Sequence, residues 1–443
     1  MTRERDGAGR GRYGRRTVLA TVAGLAGCVS LGDDGPTDGS TPAATDGAGS
    51  AGSTVTRTRT ETPTATPDPT DTGAPAPTDT PTPDALAAVT GDYPAYRHAA
   101  GRRAYTPATA GPAAVPEAAY TLEFPGAVYQ PVVDADRLFL AGPAGGPERP
   151  TVAAFDLRRG TRLWNATLDG AAGAAPTVVG DRVVVQTAGG VHALARDGSR
   201  AWSSGTVAAR GFAPAAVGDS VYAVGERGLA ALGVDGTESW SVPLGARPLA
   251  SAAADGTAVY LLVPRDMTTM GLLALDAEDG TTRWRRAVEA RSGFPPARAG
   301  DAVYVTSDRR QGGVTALAAD SGERLWQAGV RLDRGPAVTE SRIVVARGSR
   351  VLALSRADGA VDWETDLASE VVTAPVADGV AAYVGLRSDE GGRLAAVDVA
   401  DGEIRYTLAL ECPVDRVVIL EEGLAVTTRG ASGPARLHVF VRS

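Results

Sequence analysis

From about residue 120 the chain runs in short apolar stretches, each closed by Gly, Asp or Pro. One kind begins beside a proline, as at Ala175-Pro176, Ala213-Pro214, Pro295-Pro296, Gly335-Pro336, Ala374-Pro375 and Cys412-Pro413. A second is β-branched and unbroken, as in Arg182-Val183-Val184-Val185 and Ala302-Val303-Tyr304-Val305, the pattern of a strand covered on both faces. A third carries a small residue, at Ala154, Ala193, Ala231, Ala274, Ala316, Ala353 and Ala396. A fourth follows a glycine (Gly160, Gly198, Gly236, Gly280, Gly322, Gly359, Gly402) and places an aromatic residue four positions on. These aromatics are Trp164, Trp202, Trp240, Trp284, Trp326 and Trp363, with Tyr406 in the seventh copy; the six are all the tryptophans of the chain. They recur every 37 to 44 residues, and four short strands in that span are the signature of one propeller blade.

The glycine, usually preceded by Asp, supplies a positive φ in a tight hairpin turn, and the tryptophan on the outgoing strand lays its ring into the space that alanine leaves. After the seventh copy, residues 414–441 hold three more strands but no aromatic fourth. Near the start, Tyr120-Thr121-Leu122-Glu123-Phe124 has the outermost-strand pattern without a blade of its own. Joining the two completes an eighth blade and removes the open sheet edges. The expected fold is all-β: an eight-bladed propeller of four-stranded antiparallel blades over residues 118–443, about 41 residues per blade, closed by the N-terminal strand.

The residues before it are of other kinds. Residues 1–28 begin Arg-rich, reach Arg15-Arg16, and run through a short apolar stretch to Leu25-Ala26-Gly27-Cys28. The stretch is too short to span a bilayer. It resembles a twin-arginine export signal ending in a lipobox, although Gly14-Arg15-Arg16-Thr17-Val18-Leu19 lacks the usual Ser or Thr before the pair and the Phe after it. The resemblance implies a lipid on Cys28, which would anchor the protein to the outer face of the cytoplasmic membrane. Residues 29–87 are Thr, Pro, Asp, Gly, Ala and Ser, too poor in apolar side chains to offset the entropy of ordering, and read as a disordered tether with ends roughly 40 Å apart. Residues 88–117 form a lead-in to the propeller.

Composition narrows the function. The chain contains 44 basic and 52 acidic residues, a net charge of −8, and every cation among the Lys and Arg is Arg; such a composition resembles that of halophilic proteins. An acidic domain is a poor partner for nucleic acid. The two cysteines, Cys28 and Cys412, lie in different regions and give no disulfide framework. His98, His192 and His438 are too scattered for a zinc site.

The Ala-x-Asp…Gly-x-x-x-Trp motif, fullest at Ala154-Phe155-Asp156…Gly160…Trp164 and Ala274-Leu275-Asp276…Gly280…Trp284, resembles the docking repeat of the PQQ-like (quinoprotein-like) propellers; Ala318 and Ser355 replace its Asp in two copies. Tyr93-Pro94-Ala95-Tyr96-Arg97-His98…Arg102-Arg103…Pro107 looks like the lead-in of extracellular members, with Tyr93 in place of Trp and Ala99 in place of Asp. In the dehydrogenases of this family the resemblance implies PQQ and Ca²⁺ in the central funnel, held by adjacent cysteines, an Asn, a Glu and a catalytic Asp. Here the domain has one Cys, and its single Asn, Asn165, follows Trp164 on an outer strand. No cofactor and no catalysis are therefore expected. The repeat is also similar to that of the propeller subunit of the outer-membrane barrel-assembly machinery, which implies a binding or scaffold role and a monomer.

The remaining candidate chemistry is modest. Asn165-Ala166-Thr167 is a glycosylation sequon. Arg210, Arg247, Arg291, Arg331 and Arg334 precede the expected innermost strands, in loops that share one face around the channel mouth with the loops between second and third strands. Guanidinium groups there would suit an anionic ligand, such as an acidic protein loop or a glycan.

Overall fold

The computed structural model describes residues 89–107, 110–142, 150–209, 211–265, 270–289, 293–307, 312–389, 391–430 and 433–442. They form eight sheets whose four blade strands pair antiparallel, mostly each with the next in sequence. Blade one runs from the innermost strand Val132–Ala135 through Arg137–Gly142 and Thr151–Asp156 to the outermost Arg162–Thr167. The innermost strands of neighbouring blades approach one another around a central axis. In the middle strands, such as Arg182–Thr187, residue after residue is buried because a neighbouring blade covers each face. Outermost strands instead alternate exposed and half-buried, and charged residues on them blunt the free edges.

Ring closure is as expected. Glu117–Phe124 pairs antiparallel with Ala435–Val441, from Glu117 opposite Val441 to Phe124 opposite Ala435. It is the fourth strand of blade eight, after Val414–Leu420, Gly423–Arg429 and Ala435–Val441. Arg436 ties this joint, reaching Glu123 on the closing strand and Glu411 before the blade, each at 2.7 Å.

Each tryptophan stands opposite the alanine of its own blade, at a bulge, as Ala154 does to Trp164 and Ala274 to Trp284. Its ring lies over the glycine of the following blade: Trp164 over Gly198, Trp202 over Gly236, Trp240 over Gly280, Trp284 over Gly322, Trp326 over Gly359 and Trp363 over Gly402. Those glycines have φ between 68° and 89°, and a Cβ on any of them would come within 2.5–2.7 Å of the indole. Both the turn and the ring therefore demand glycine. The indole N–H donates to a carbonyl of the same turn, for example Trp164 to Arg196 at 2.7 Å and Trp284 to Ala319 at 2.9 Å. Tyr260 joins Trp284 on the Ala319 carbonyl, with its ring 6.0 Å away.

The joint between blades eight and one is made by Tyr120. Its ring lies over Gly160 and its hydroxyl donates to Leu157 at 2.7 Å, in the place where the other joints use tryptophan. Tyr406 in blade seven is buried, but no glycine turn lies ahead of it among the described residues. The reason is topological: the outermost strand of blade eight comes from the N-terminal side, so no third-to-fourth-strand turn exists there.

Truncating one of these rings is expected to open a cavity between two blades. Trp284→Ala should cost about 3–5 kcal/mol of unfolding free energy, and Trp284→Tyr much less, because Tyr120 shows that a phenol can make the same contact. Denaturant unfolding of the two variants checks this, and equal losses would argue against docking as the source of stability.

Candidate functional site: the channel, its plug and its mouth

The lead-in closes the channel from within. Gly91–Tyr93 adds an antiparallel strand inside blade one, and Tyr105–Thr106 adds a parallel strand inside blade seven. Between them the segment's backbone reaches blades two, four, five and six in turn. The Pro94 carbonyl accepts the Val178 N–H of blade two, Ala100 that of Ala254 in blade four, Gly101 that of Arg298 in blade five, and Arg103 that of Val338 in blade six. Thr90 accepts from Glu421 of blade eight. All these contacts lie toward the ends of the innermost strands that turn into the second strands, so the plug occupies that end of the channel.

Arg102 fixes it. Its side chain is wholly buried, with Nε donating to Ala252 at 3.0 Å, Nη1 to Tyr96 at 2.7 Å, and Nη2 to Ala213 at 2.8 Å and Pro214 at 2.7 Å. Blade three, which the plug backbone misses, is held by this side chain. Beside it Arg97, 5% exposed, donates to the Arg102 and Pro336 carbonyls. The carbonyl dipoles that accept from these two guanidinium groups take the place of a counter-ion. Burial pulls the Arg102 guanidinium down to about 10, opposed by Tyr96 and reinforced by repulsion from Arg97, and it stays charged at neutral pH. The backbone is held as tightly: Arg97, His98, Arg102 and Ala104 all have positive φ, between 52° and 82°, a conformation that non-glycine residues hold only when the surroundings impose it.

At the opposite mouth lies a cavity of about 140 Å³. Tyr96 of the plug lines it, with Tyr129 and Gln130 from blade one, small residues from blades two to five, and Arg416 from blade eight. The loops around this mouth hold Arg247, Arg331 and Arg334. Arg247 pairs with Glu226 at 2.6 Å and stacks on Phe212 at 4.9 Å. Arg331 stands 3.8 Å from Asp333, and Arg334 donates to the carbonyls of Val372 at 3.1 Å and Asp333 at 2.8 Å. Arg334 is thus engaged by the scaffold, whereas Arg331 is exposed. Arg210 and Arg291, like Cys28, fall outside the described residues. Asn165 is exposed on the outer strand Arg162–Thr167, and Cys412 is buried.

Two histidines occupy equivalent places on third strands. His192 lies between Thr187 and Ser203, each at 3.0 Å, and His438 between Thr121 at 2.9 Å and Thr428 at 3.0 Å. Among the described residues no three His, Cys, Asp or Glu side chains are grouped to hold a metal ion.

Sequence reasoning placed Tyr120 on the closing strand but missed its docking on Gly160, the internal role of Arg97 and Arg102, and Gln130. The available signal was the run Tyr93–Arg103: three arginines amid small and aromatic residues, with no acidic side chain between them.

The eight sheets and their glycine-docked aromatics define an eight-bladed β-propeller of the tryptophan-docked class. The family model described as outer membrane protein assembly factor BamB matches residues 118–261, 228–327 and 310–429, and the chain belongs to this PQQ-like repeat family. Assembly factor BamB of Yersinia pestis is 32% identical over 155 residues, covering 32% of this chain and 35% of that protein, so the match spans about a third of the relative's length. BamB from Moraxella catarrhalis has the same fold, with a TM-score of 0.57 at 18% identity over 74% of this chain and 98% of that one. The quinohemoprotein alcohol dehydrogenase from Comamonas testosteroni gives 0.61 at 13% identity over 81% and 83%.

The dehydrogenase relatives raise the question of a quinone and its calcium ion, and the residues present do not fit them. The mouth cavity is about 140 Å³, below the roughly 300 Å³ at which small-molecule sites begin, and its lining includes no Asn, Asp or Glu.

Two expectations follow. Arg102→Ala would strand carbonyls in a dry interior and should cost about 3–5 kcal/mol, whereas Arg159→Ala, which breaks an exposed pair with Asp156, should cost almost nothing by the same denaturation assay. Burial, aided by Arg436, depresses His438 to about 4, so the folded protein leaves unprotonated a site that the unfolded chain protonates near pH 6.5. Stability should therefore fall as pH drops from about 6.5 to 4 and level off below; His438→Gln should flatten that slope in melts taken across the range.

Proposed function

We propose that this protein is a non-catalytic scaffold, held on the outer face of the cytoplasmic membrane by a lipid on Cys28, that binds a protein or glycan partner at its channel mouth. The observation that carries this reading is the plug. A segment of the chain itself fills the far end of the channel and leaves a small cavity at the mouth, bordered by loops with exposed arginine such as Arg331. That arrangement favours recognition of another surface over turnover of a substrate drawn into a funnel. Family membership with an assembly factor supports it.

The test is made on the cell surface. A photo-crosslinking residue at Arg247 or Arg331, on the mouth, should yield partner adducts; one at Arg159, among the turns of the opposite face, should not. Cys28→Ser should release the processed protein from membranes. Equal adducts from both faces would sink the assignment of the working face, and a quinone absorption band after incubation with PQQ and Ca²⁺ would sink the non-catalytic reading.

A further inference from the structure

We infer that the cavity at the channel mouth is a seat for a carboxylate, supplied either by a free small organic acid or by an acidic side chain on a protruding partner loop; this rests on the reading that the mouth is the working face.

Charge is the first argument. Arg416 lines the cavity, and Arg97 and Arg102 are buried in the plug behind the lining residue Tyr96, with Arg416 near enough to act on Arg97. Asp415 pairs with Arg416 at 2.9 Å. The charged and polar groups acting on Arg97 and Arg102 are arginines and tyrosines, with no acid among them. A chain of net charge −8 thus holds two arginines, met by carbonyls and not by acids, behind its mouth cavity. Low-dielectric walls focus such a field outward toward an anion.

Hydrogen-bonding capacity is the second. Gln130 is 6% exposed and lines the cavity, with its amide turned to the buried Tyr93 hydroxyl. Ser251 accepts the Ala213 N–H on its Oγ at 2.9 Å and keeps its own proton to give. Arg416 brings a half-exposed guanidinium, the side chain best matched to two carboxylate oxygens. Donors thus reach the cavity from the blade-four and blade-eight sides, and no lining side chain is an acid.

Size is the third. A cavity of about 140 Å³ holds roughly five waters at bulk density. Small wall residues such as Gly173, Ala174 and Gly211 leave room for an unbranched stem with a planar head. A glutamate side chain or a short-chain acid meets that description.

The experiment uses full-length protein and calorimetric titration with propionate, propionamide, inorganic phosphate and a capped glutamate-containing peptide. Propionate should bind at least tenfold more tightly than propionamide or phosphate, and Arg416→Gln should weaken it at least tenfold. Arg159→Gln, on the opposite face, should leave it unchanged. Gln130→Glu would fill the seat with the chain's own acid and should abolish binding with no fall in melting temperature; if that variant fails to fold, Arg416→Gln still decides. A peptide that binds at least tenfold better than propionate identifies a partner loop as the source, and parity identifies a free acid. Indistinguishable propionate and propionamide, tighter phosphate, or an unaffected Arg416→Gln would each overturn the seat. Mouth cross-links without propionate binding would leave the scaffold reading intact and remove the seat, while propionate binding without cross-links would do the reverse.

Discussion

An aromatic ring lying flat on a glycine of the next blade is the interaction on which this propeller depends. The ring gives apolar area and one N–H or O–H, and the glycine gives a backbone surface without a side chain and a φ that other residues resist. Each joint therefore couples a turn in one blade to a strand in the preceding one, and seven such joints, six from tryptophan and one from Tyr120, run around the ring. Blade size, turn type and the short period of the sequence follow from it. Where the covalent turn is missing, ahead of Tyr406, the glycine and the tryptophan vanish together.

The channel obeys a different constraint. Innermost strands have peptide groups facing the axis that no further strand of their own blade can satisfy. The lead-in supplies the missing partners blade by blade, and where its backbone falls short Arg102 reaches the carbonyls of Ala213 and Pro214. A guanidinium suits this task because its fork of donors can serve carbonyls on different blades at once. The strained backbone at Arg97, His98, Arg102 and Ala104 is tolerated because so many hydrogen bonds fix it.

The repeating part of this design could be read from the sequence. Aromatic and glycine positions at constant spacing revealed the blades, and the unaccompanied strand around Tyr120 revealed the closure. What could not be read was set by contacts between distant parts of the chain. Tyr120 lacks the glycine four residues before it that marks the other docking aromatics, since its blade has no such turn. The plug is short and polar, and its bonds go to strands dispersed over the whole domain. Gln130 and Arg416 become neighbours only once the ring has closed. The mouth arginines were visible, but whether each faces solvent or is absorbed by a local carbonyl, as Arg334 is, depends on loop conformation.

The pairing of Glu117–Phe124 with Ala435–Val441 gives the molecule a timetable. The first blade strand to be synthesised is the last to find its place, because its partner emerges 311 residues later, counting from Phe124 to Ala435. At ribosomal rates of about 5–20 residues per second, that strand and the plug before it wait on the order of 15–60 s with their edges unpaired. Through that interval the growing arc of blades has two open ends and an unfilled axis, and a chain stopped short of residue 435 would keep them. The ring therefore closes in a single event in which the strand, the plug and the Tyr120 joint between blades eight and one fall into place together.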